Sequence, residues 1–240
     1  MTLKKKIKRK VYLFNILFNE NNFLYNLLHR NLYICYLYHN TMSNITYTGK
    51  MSIKHKILRF LIENKIRAFS MYELAKALKI DYKLIHINVK KLQEDKSIDI
   101  EDLKSQKRCS FKDNFNEDVF IVESERRSNT LKKKEFKAIY DKLKIVNKQF
   151  ILLLFGSHVK GTATKTSDID LILISNSEDA KKLEEKLEVL PLKIHLTPIT
   201  HESFIDMLKS KEQTVVSEAL KKNIILFGIE DYYRLIQNAK

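Results

Sequence analysis

A chain of 240 residues, 44% hydrophobic and 30% charged, is long enough to bury one large core or two small ones and excludes collagen-like, disordered and disulfide-stapled classes. Its 44 Lys and Arg against 29 Asp and Glu leave a net charge of +15, which draws it toward polyanions: nucleic acid, nucleotide phosphates or an acidic protein face. Cys35 and Cys109 stand far apart with no CxxC or Cys/His spacing, which argues against a zinc site and a secreted framework and for a reducing, cytoplasmic setting.

Residues 1–50 hold eight Lys and Arg against one acid and mix Asn, Tyr, Leu and Phe without a lasting helical or alternating period. Their Lys-rich start mimics a signal peptide but lacks a small-residue cleavage site. Asn15, Asn19, Glu20 and the polar residues after them break any apolar run of the roughly 18 residues a membrane span needs. Met42 and Met51 both precede the first well-patterned helix. The expectation is therefore that residues 1–41, or 1–50, are an extension from a start called too early, the alternative being an amphipathic arm that packs on a partner.

Residues 51–128 form the second section. Ile53, Ile57, Leu58, Leu61 and Ile62 make one helical stripe, with Lys54, His55, Lys56 and Arg59 on other faces. Ser70 followed by Glu73 is a capping-box pattern that opens a short helix with Met71, Leu74, Ala75 and Leu78 inside. Asp81 caps a third helix over Tyr82 to Glu94, expected to bury Leu84, Ile85, Val89 and Leu92. The apolar runs Ile98–Ile100 and Val119–Val122, flanking a polar stretch with Lys104, Lys107, Arg108 and Lys112, are expected to pair as a hairpin. Three helices and a hairpin resemble a winged helix-turn-helix. That resemblance implies DNA binding, with Lys83, His86 and Asn88 at bases or phosphates and Lys90 and Lys91 on the backbone. The section carries 17 basic and 13 acidic groups, so a solvated basic face on a protein-interaction module remains the other reading.

Residues 129–240 form the third section. A Lys-rich helix with Leu131, Phe136, Ile139, Tyr140, Leu143 and Val146 on its apolar side leads into Phe150–Phe155, a continuous apolar run of the kind a fully buried strand shows. Two of the four glycines fall in Gly156-Ser157-His158-Val159-Lys160-Gly161. Gly156 permits a sharp turn off the strand, and Ser157 offers a hydroxyl and a backbone N–H at a helix start, where phosphate oxygens bind well. Lys160 and Lys165 add positive charge. Ser167-Asp168-Ile169-Asp170-Leu171-Ile172-Leu173-Ile174 reads as a second strand whose period of two puts both aspartates on one face. Two carboxylates at that spacing can share a divalent metal, for which Mg²⁺ suits hard oxygen ligands, and together with a phosphate-binding turn they suit phosphoryl or nucleotidyl transfer.

The buried strand, Gly156-Ser157, ten intervening residues and Asp168-Ile169-Asp170 together resemble the minimal nucleotidyltransferases of the DNA polymerase beta-like superfamily over about residues 130–228. The resemblance implies an α+β fold: a winged helix-turn-helix followed by a polymerase beta-like domain with a mixed sheet flanked by helices. It implies that Gly156, Ser157, Lys160 and Ser167 bind nucleotide and that Asp168 and Asp170 bind Mg²⁺ or Mn²⁺. It implies transfer of a nucleoside monophosphate from NTP to a hydroxyl on a protein, RNA or small molecule. Small standalone members resemble antitoxins paired with HEPN-type toxins, which makes such a toxin an expected partner.

The family also carries a third carboxylate on a following strand. Here the corresponding run, Leu192-Lys193-Ile194-His195-Leu196-Thr197, offers His195. A neutral imidazole can act as a base but is a poor Mg²⁺ ligand, so His195 is either catalytic or a polar residue at a strand end. Glu188 or Glu202 could supply the missing acid if the chain folds back. The alternative function is a DNA-binding regulator whose degenerate transferase domain only senses nucleotide. The C-terminal elements, helices near Glu202–Lys209, Val215–Lys221 and Glu230–Asn238 and a strand over Asn223–Gly228, are expected to support the sheet.

Overall fold

Ser52 accepts the His55 N–H at 3.2 Å and starts helix α1 (Ile53–Glu63), which buries Ile57, Leu58, Leu61 and Ile62, as the stripe predicts. The computed structural model describes residues 51–103, 106–210 and 214–239, so the expectations for residues 1–50 and for Lys104 lie outside the described residues. A two-residue strand, β1 (Phe69–Ser70), runs into helix α2 (Met71–Leu78). The capping box forms there: Ser70 Oγ accepts the Glu73 N–H at 3.2 Å, and Glu73 Oε2 accepts the Ser70 N–H at 2.8 Å. Asp81 caps helix α3 (Tyr82–Glu94), accepting the Lys83 N–H at 2.9 Å. This helix buries Ile85, Val89 and Leu92, but Leu84, expected inside, is 43% exposed. The helical period explains the difference, because residue 84 shares a face with 88 and 91 rather than with 85, 89 and 92.

Strands β2 (Ile98–Leu103) and β3 (Gln106–Phe111) form the wing, antiparallel from Ile98 opposite Phe111 to Leu103 opposite Gln106, and β1 joins the far edge of β3. The second wing strand thus comes from the polar stretch. The predicted strand at Val119–Val122 is instead the first part of helix α4 (Glu117–Thr130). Asn116 caps that helix at the Val119 N–H (3.0 Å), Glu117 and Asp118 stand in its first turn where the helix dipole favours anions, and Val119, Val122, Glu123 and Arg126 are its buried face. A four-residue apolar run does not by itself distinguish strand from helix; here the cap, the first-turn acids and the buried residues beyond the run decide.

Helix α5 (Lys134–Leu143) follows, shorter than predicted, and buries Phe136, Ile139 and Leu143. The second sheet is mixed, in the order β6-β5-β4-β7: β4 (Ile151–Leu154) lies antiparallel between β5 (Ile169–Ile174) and β7 (Ile224–Phe227), and β6 (Ile194–Ile199) runs parallel to β5. Leu152, Leu154, Leu171, Leu173 and Leu226 pack on one side with α5 and helix α7 (Ser177–Glu188). Burying those leucines, at about 25 cal/mol per Å² of apolar area, is the main force holding the helices to the sheet. The remaining elements are the single-turn helix α6 (Ser157–Lys160) and helices α8 (His201–Lys209), α9 (Val215–Lys221) and α10 (Ile229–Ala239). This is the α+β arrangement expected from the sequence.

Residues Ser52–Lys240 make one compact unit. Helix α4 runs through position 128 and packs on α1 as well as on β7 and α10. At its centre the fully buried Glu123 accepts from Arg126 Nη1 (2.6 Å) and from the Tyr233 hydroxyl (2.6 Å), while Arg126 Nη2 donates to Asn223 O (2.6 Å). Helix α10 also reaches the winged section: Gln237 Nε2 donates to Asn114 Oδ1 at 2.7 Å, and the Tyr233 ring lies 6.0 Å from Phe111. The C-terminal helix therefore supports both sections, not the four-stranded sheet alone. Among the described residues no helix is long and apolar enough to cross a membrane.

Candidate nucleotide site and nucleic-acid interface

Strands β4 and β5 stay paired up to Phe155, whose N–H donates to Asp170 O at 3.1 Å, and the chain then turns away at Gly156. Gly156 has φ +72° and ψ −148°, a conformation closed to residues with a side chain. A Cβ there would stand 2.1 Å from Asp170 Oδ2, so the absence of a side chain lets the Asp170 carboxylate lie against the turn. Gly156 O accepts the Val159 and Lys160 N–H groups at 3.3 and 3.0 Å. The N–H groups of Ser157 and His158, at the head of α6, are left without an acceptor inside the helix. Gly161, at φ +80°, ends the turn.

Asp168 stands exposed just before β5, and Asp170 is the half-buried second residue of the strand. Asp170 lies on the side opposite Leu171 and Leu173, away from α5 and α7. His195 lies directly across from Asp170 in the parallel β5–β6 register, with its Nδ1 3.5 Å from Asp170 Oδ1. The tertiary structure thus brings Gly156, Asp170 and His195 together, with Ser157 and Asp168 adjoining along the chain. Glu202 lies past Ile199, which pairs with Ile174 at the other end of β5, four residues or about 13 Å of strand from Asp170. Glu188 is exposed at the end of α7. Among the described residues no group of three or more His, Cys, Asp and Glu could hold a metal ion, so neither glutamate completes the aspartate pair. Cys109 is no alternative, because burial pushes its thiol up to about 11.

On α3, Lys83, Lys90 and Lys91 are exposed. His86 stacks on Tyr82 with ring centroids 6.5 Å apart. Asn88 spends an amide N–H on Leu84 O at 2.8 Å, within its own helix. Sequence reasoning missed the aromatic and apolar part of this surface: Tyr82 is 52% and Ile87 42% exposed on α3. Exposed aromatics among lysines were the available signal. On the wing, Lys107 and Lys112 are paired with Asp102 (3.3 Å) and Asp99 (3.1 Å).

The family model described as "Nucleotidyltransferase domain" matches residues 133–227. Residues 133–227 form a nucleotidyltransferase domain. A solved structure, the crystal structure of MepR, a transcription regulator of the Staphylococcus aureus multidrug efflux pump MepA, is 12% identical over 71% of this chain and 95% of that one. Its TM-score is 0.28. No curated protein matches the chain.

Within the nucleotidyltransferase domain two of the predicted nucleotide-binding residues have partners already. Lys160 Nζ lies 3.2 Å from Glu218 Oε2 on α9, so its charge is shared with an acid no motif pointed to. The hydroxyl of Ser167 accepts the Thr164 N–H at 2.9 Å and shapes the loop before Asp168. His158, edge-on to Phe136 with its Nε2 3.5 Å from Ser167 O, ties α6 to the same loop. The donor set of Asp168 and Asp170 consists of hard oxygens. Magnesium is commonly held by one or two carboxylates plus substrate phosphates, so the pair fits a cation that arrives with a triphosphate.

Proposed function

We propose that the nucleotidyltransferase domain binds an NTP with Mg²⁺ or Mn²⁺ and transfers its nucleoside monophosphate to a hydroxyl on a protein, RNA or small molecule, releasing pyrophosphate. The observation that carries this reading is the contact between a side-chain-free turn and a carboxylate: Gly156 against Asp170, with the head of α6 beside them. The N–H groups of Ser157 and His158, which have no acceptor inside α6, bind the triphosphate oxygens, and Lys160 adds charge at the other end of the turn. Asp168 and Asp170 hold the metal, which when bound neutralises the phosphates and stabilises the leaving pyrophosphate. His195, beside Asp170, accepts the proton of the attacking hydroxyl in place of the family's third carboxylate. Ser167 contributes by holding the loop that presents Asp168. The winged helix binds DNA or delivers the acceptor, with Lys83, His86, Lys90 and Lys91 on the outer face of α3 and Asn88 steadying the helix. An antitoxin-like role in the cytoplasm, with a HEPN-type toxin as acceptor, belongs to this reading.

The second reading, a DNA-binding regulator that senses nucleotide without turning it over, draws support from the two-carboxylate donor set and the basic, aromatic face of α3. One experiment separates them. The full chain is incubated with each α-labelled NTP, Mg²⁺ or Mn²⁺ and native lysate. Label is expected on an acceptor, falling about a hundredfold or more in Asp168→Asn/Asp170→Asn and in His195→Ala, with a HEPN-fold acceptor identifying the antitoxin role. Metal-dependent nucleotide binding with no transfer by the parent or by His195→Asp, which restores the carboxylate, would favour the sensor.

A further inference from the structure

Between the turn that follows α1 and the C-terminal end of α9 lies a cleft of about 480 Å³. The winged section contributes Ile66 and Arg67, and the transferase domain contributes Lys160, Lys221 and Lys222. Two acids reach the cleft, and both are engaged. Glu218 lies 3.2 Å from Lys160 Nζ and 2.5 Å from Lys221 Nζ, while Glu63 is 2.9 Å from Arg59 and 3.7 Å from Arg126. The lining therefore carries four cations against two acids, an excess of two positive charges, with the single charge of Glu218 shared between Lys160 and Lys221. The guanidinium of Arg67 lies over the Phe69 ring, 4.8 Å from its centroid, and is paired with Glu73. A flat cation held in this way offers a planar surface beside Ile66, which is 73% exposed.

We propose that this cleft binds single-stranded nucleic acid, with Lys221 and Lys222 on backbone phosphates and a base stacked on Arg67. Point charges for phosphates combined with a planar cation for bases is the chemistry of strand-binding grooves. An acidic peptide would satisfy the lysines but leave the planar Arg67 and the apolar Ile66 unused, and a paired duplex has its bases stacked inside and offers none to Arg67. Lys160, on the cleft wall, ends the same single-turn helix that Ser157 begins, about 4.5 Å of helical rise away. A strand in the cleft therefore runs within one helical turn of the nucleotide site. This binding goes beyond the transfer reaction and holds whether or not the domain turns over NTP.

The test measures anisotropy of a fluorescein-labelled mixed-sequence strand of about 15 nucleotides, as RNA and as DNA, with the full chain. Lys221→Glu/Lys222→Glu is expected to weaken strand binding about tenfold or more and to flatten the salt dependence by a slope of roughly 1.4, while duplex DNA and Mg²⁺–ATP bind as in the parent. Arg67→Lys, which keeps the charge and removes the plane, is expected to weaken strand binding several-fold with no change in salt slope. Unchanged thermal midpoints exclude unfolding; should the double variant unfold, Lys222→Ala and Arg67→Lys carry the test. Strand affinity untouched by the variants, duplex and strand affinity falling together, or polyglutamate competing as well as an unlabelled strand would each overturn the proposal. Nucleotide binding is read separately, so its loss bears on the transfer reading alone.

Discussion

Gly156 is where one missing methyl group decides the chemistry. An added Cβ would occupy the position of the Asp170 carboxylate and would also strain a backbone held at φ +72°. Gly156→Ala is therefore expected to cost more than about 1 kcal/mol in stability and about a hundredfold in transfer rate, since a misplacement near 1 Å at a reacting centre is worth that much. Urea denaturation and the labelling assay read the two effects separately. A variant with full transfer rate would show that Asp170 does not depend on this contact. The sequence pointed to the turn through its glycines, and to the aspartates through their period of two. It held no sign of the Lys160–Glu218 pair or of the approach of Gly156 to Asp170, because these join residues 58 and 14 positions apart.

At the scale of elements, α1 and α4 are joined at their N-terminal ends by Asp118, which lies 2.6 Å from Lys54 and 2.9 Å from His55. Burial by itself would raise the Asp118 carboxyl, but the bonds from His55 and Lys54 outweigh it and hold the carboxyl below the usual range. A lowered folded value means that the stabilisation is present above the ordinary carboxylate range and is lost as pH falls through the folded value. Asp118→Asn is expected to cost about 1.5–3 kcal/mol at neutral pH. The gap between parent and variant in thermal midpoint should close as the pH falls below about 4; a gap independent of pH would remove the ion pair as its cause. The helix over Val119–Val122 belongs to this scale too. The apolar run alone reads as a strand, whereas Asn116, Glu117 and Asp118 just before it form the helix start that decides its structure.

Across the whole molecule, the buried cluster of Glu123, Arg126, Asn223 and Tyr233 joins α4 to β7 and α10, and Arg126 also lies 3.7 Å from Glu63 on α1. Burial and the neighbouring Glu123 raise the Tyr233 phenol well above its usual value, so it stays a proton donor to the carboxylate. Glu123→Ala leaves Arg126 buried without its nearest carboxylate and is expected to cost about 3–5 kcal/mol. Because α4 is shared, the winged section and the transferase sheet should lose stability together. Calorimetry of the parent should show a single transition for residues 52–240 that moves as one in the variant; two transitions, only one of them shifted, would show that the sections fold independently.

The sequence by itself determined the local elements and the chemistry they offer. Apolar periods, caps and glycines depend on neighbours a few residues away, and they delivered the three helices of the winged section, the buried strand, the Gly-Ser turn and the paired aspartates. Tertiary structure decided which distant groups meet: His195 beside Asp170 through strand register, Glu218 on Lys160, the shared helix α4, and the basic cleft between α1 and α9. The physical reason is that hydrogen-bonded periodicity acts along the chain, whereas charge pairing and close packing act through space, and only the folded chain sets those distances.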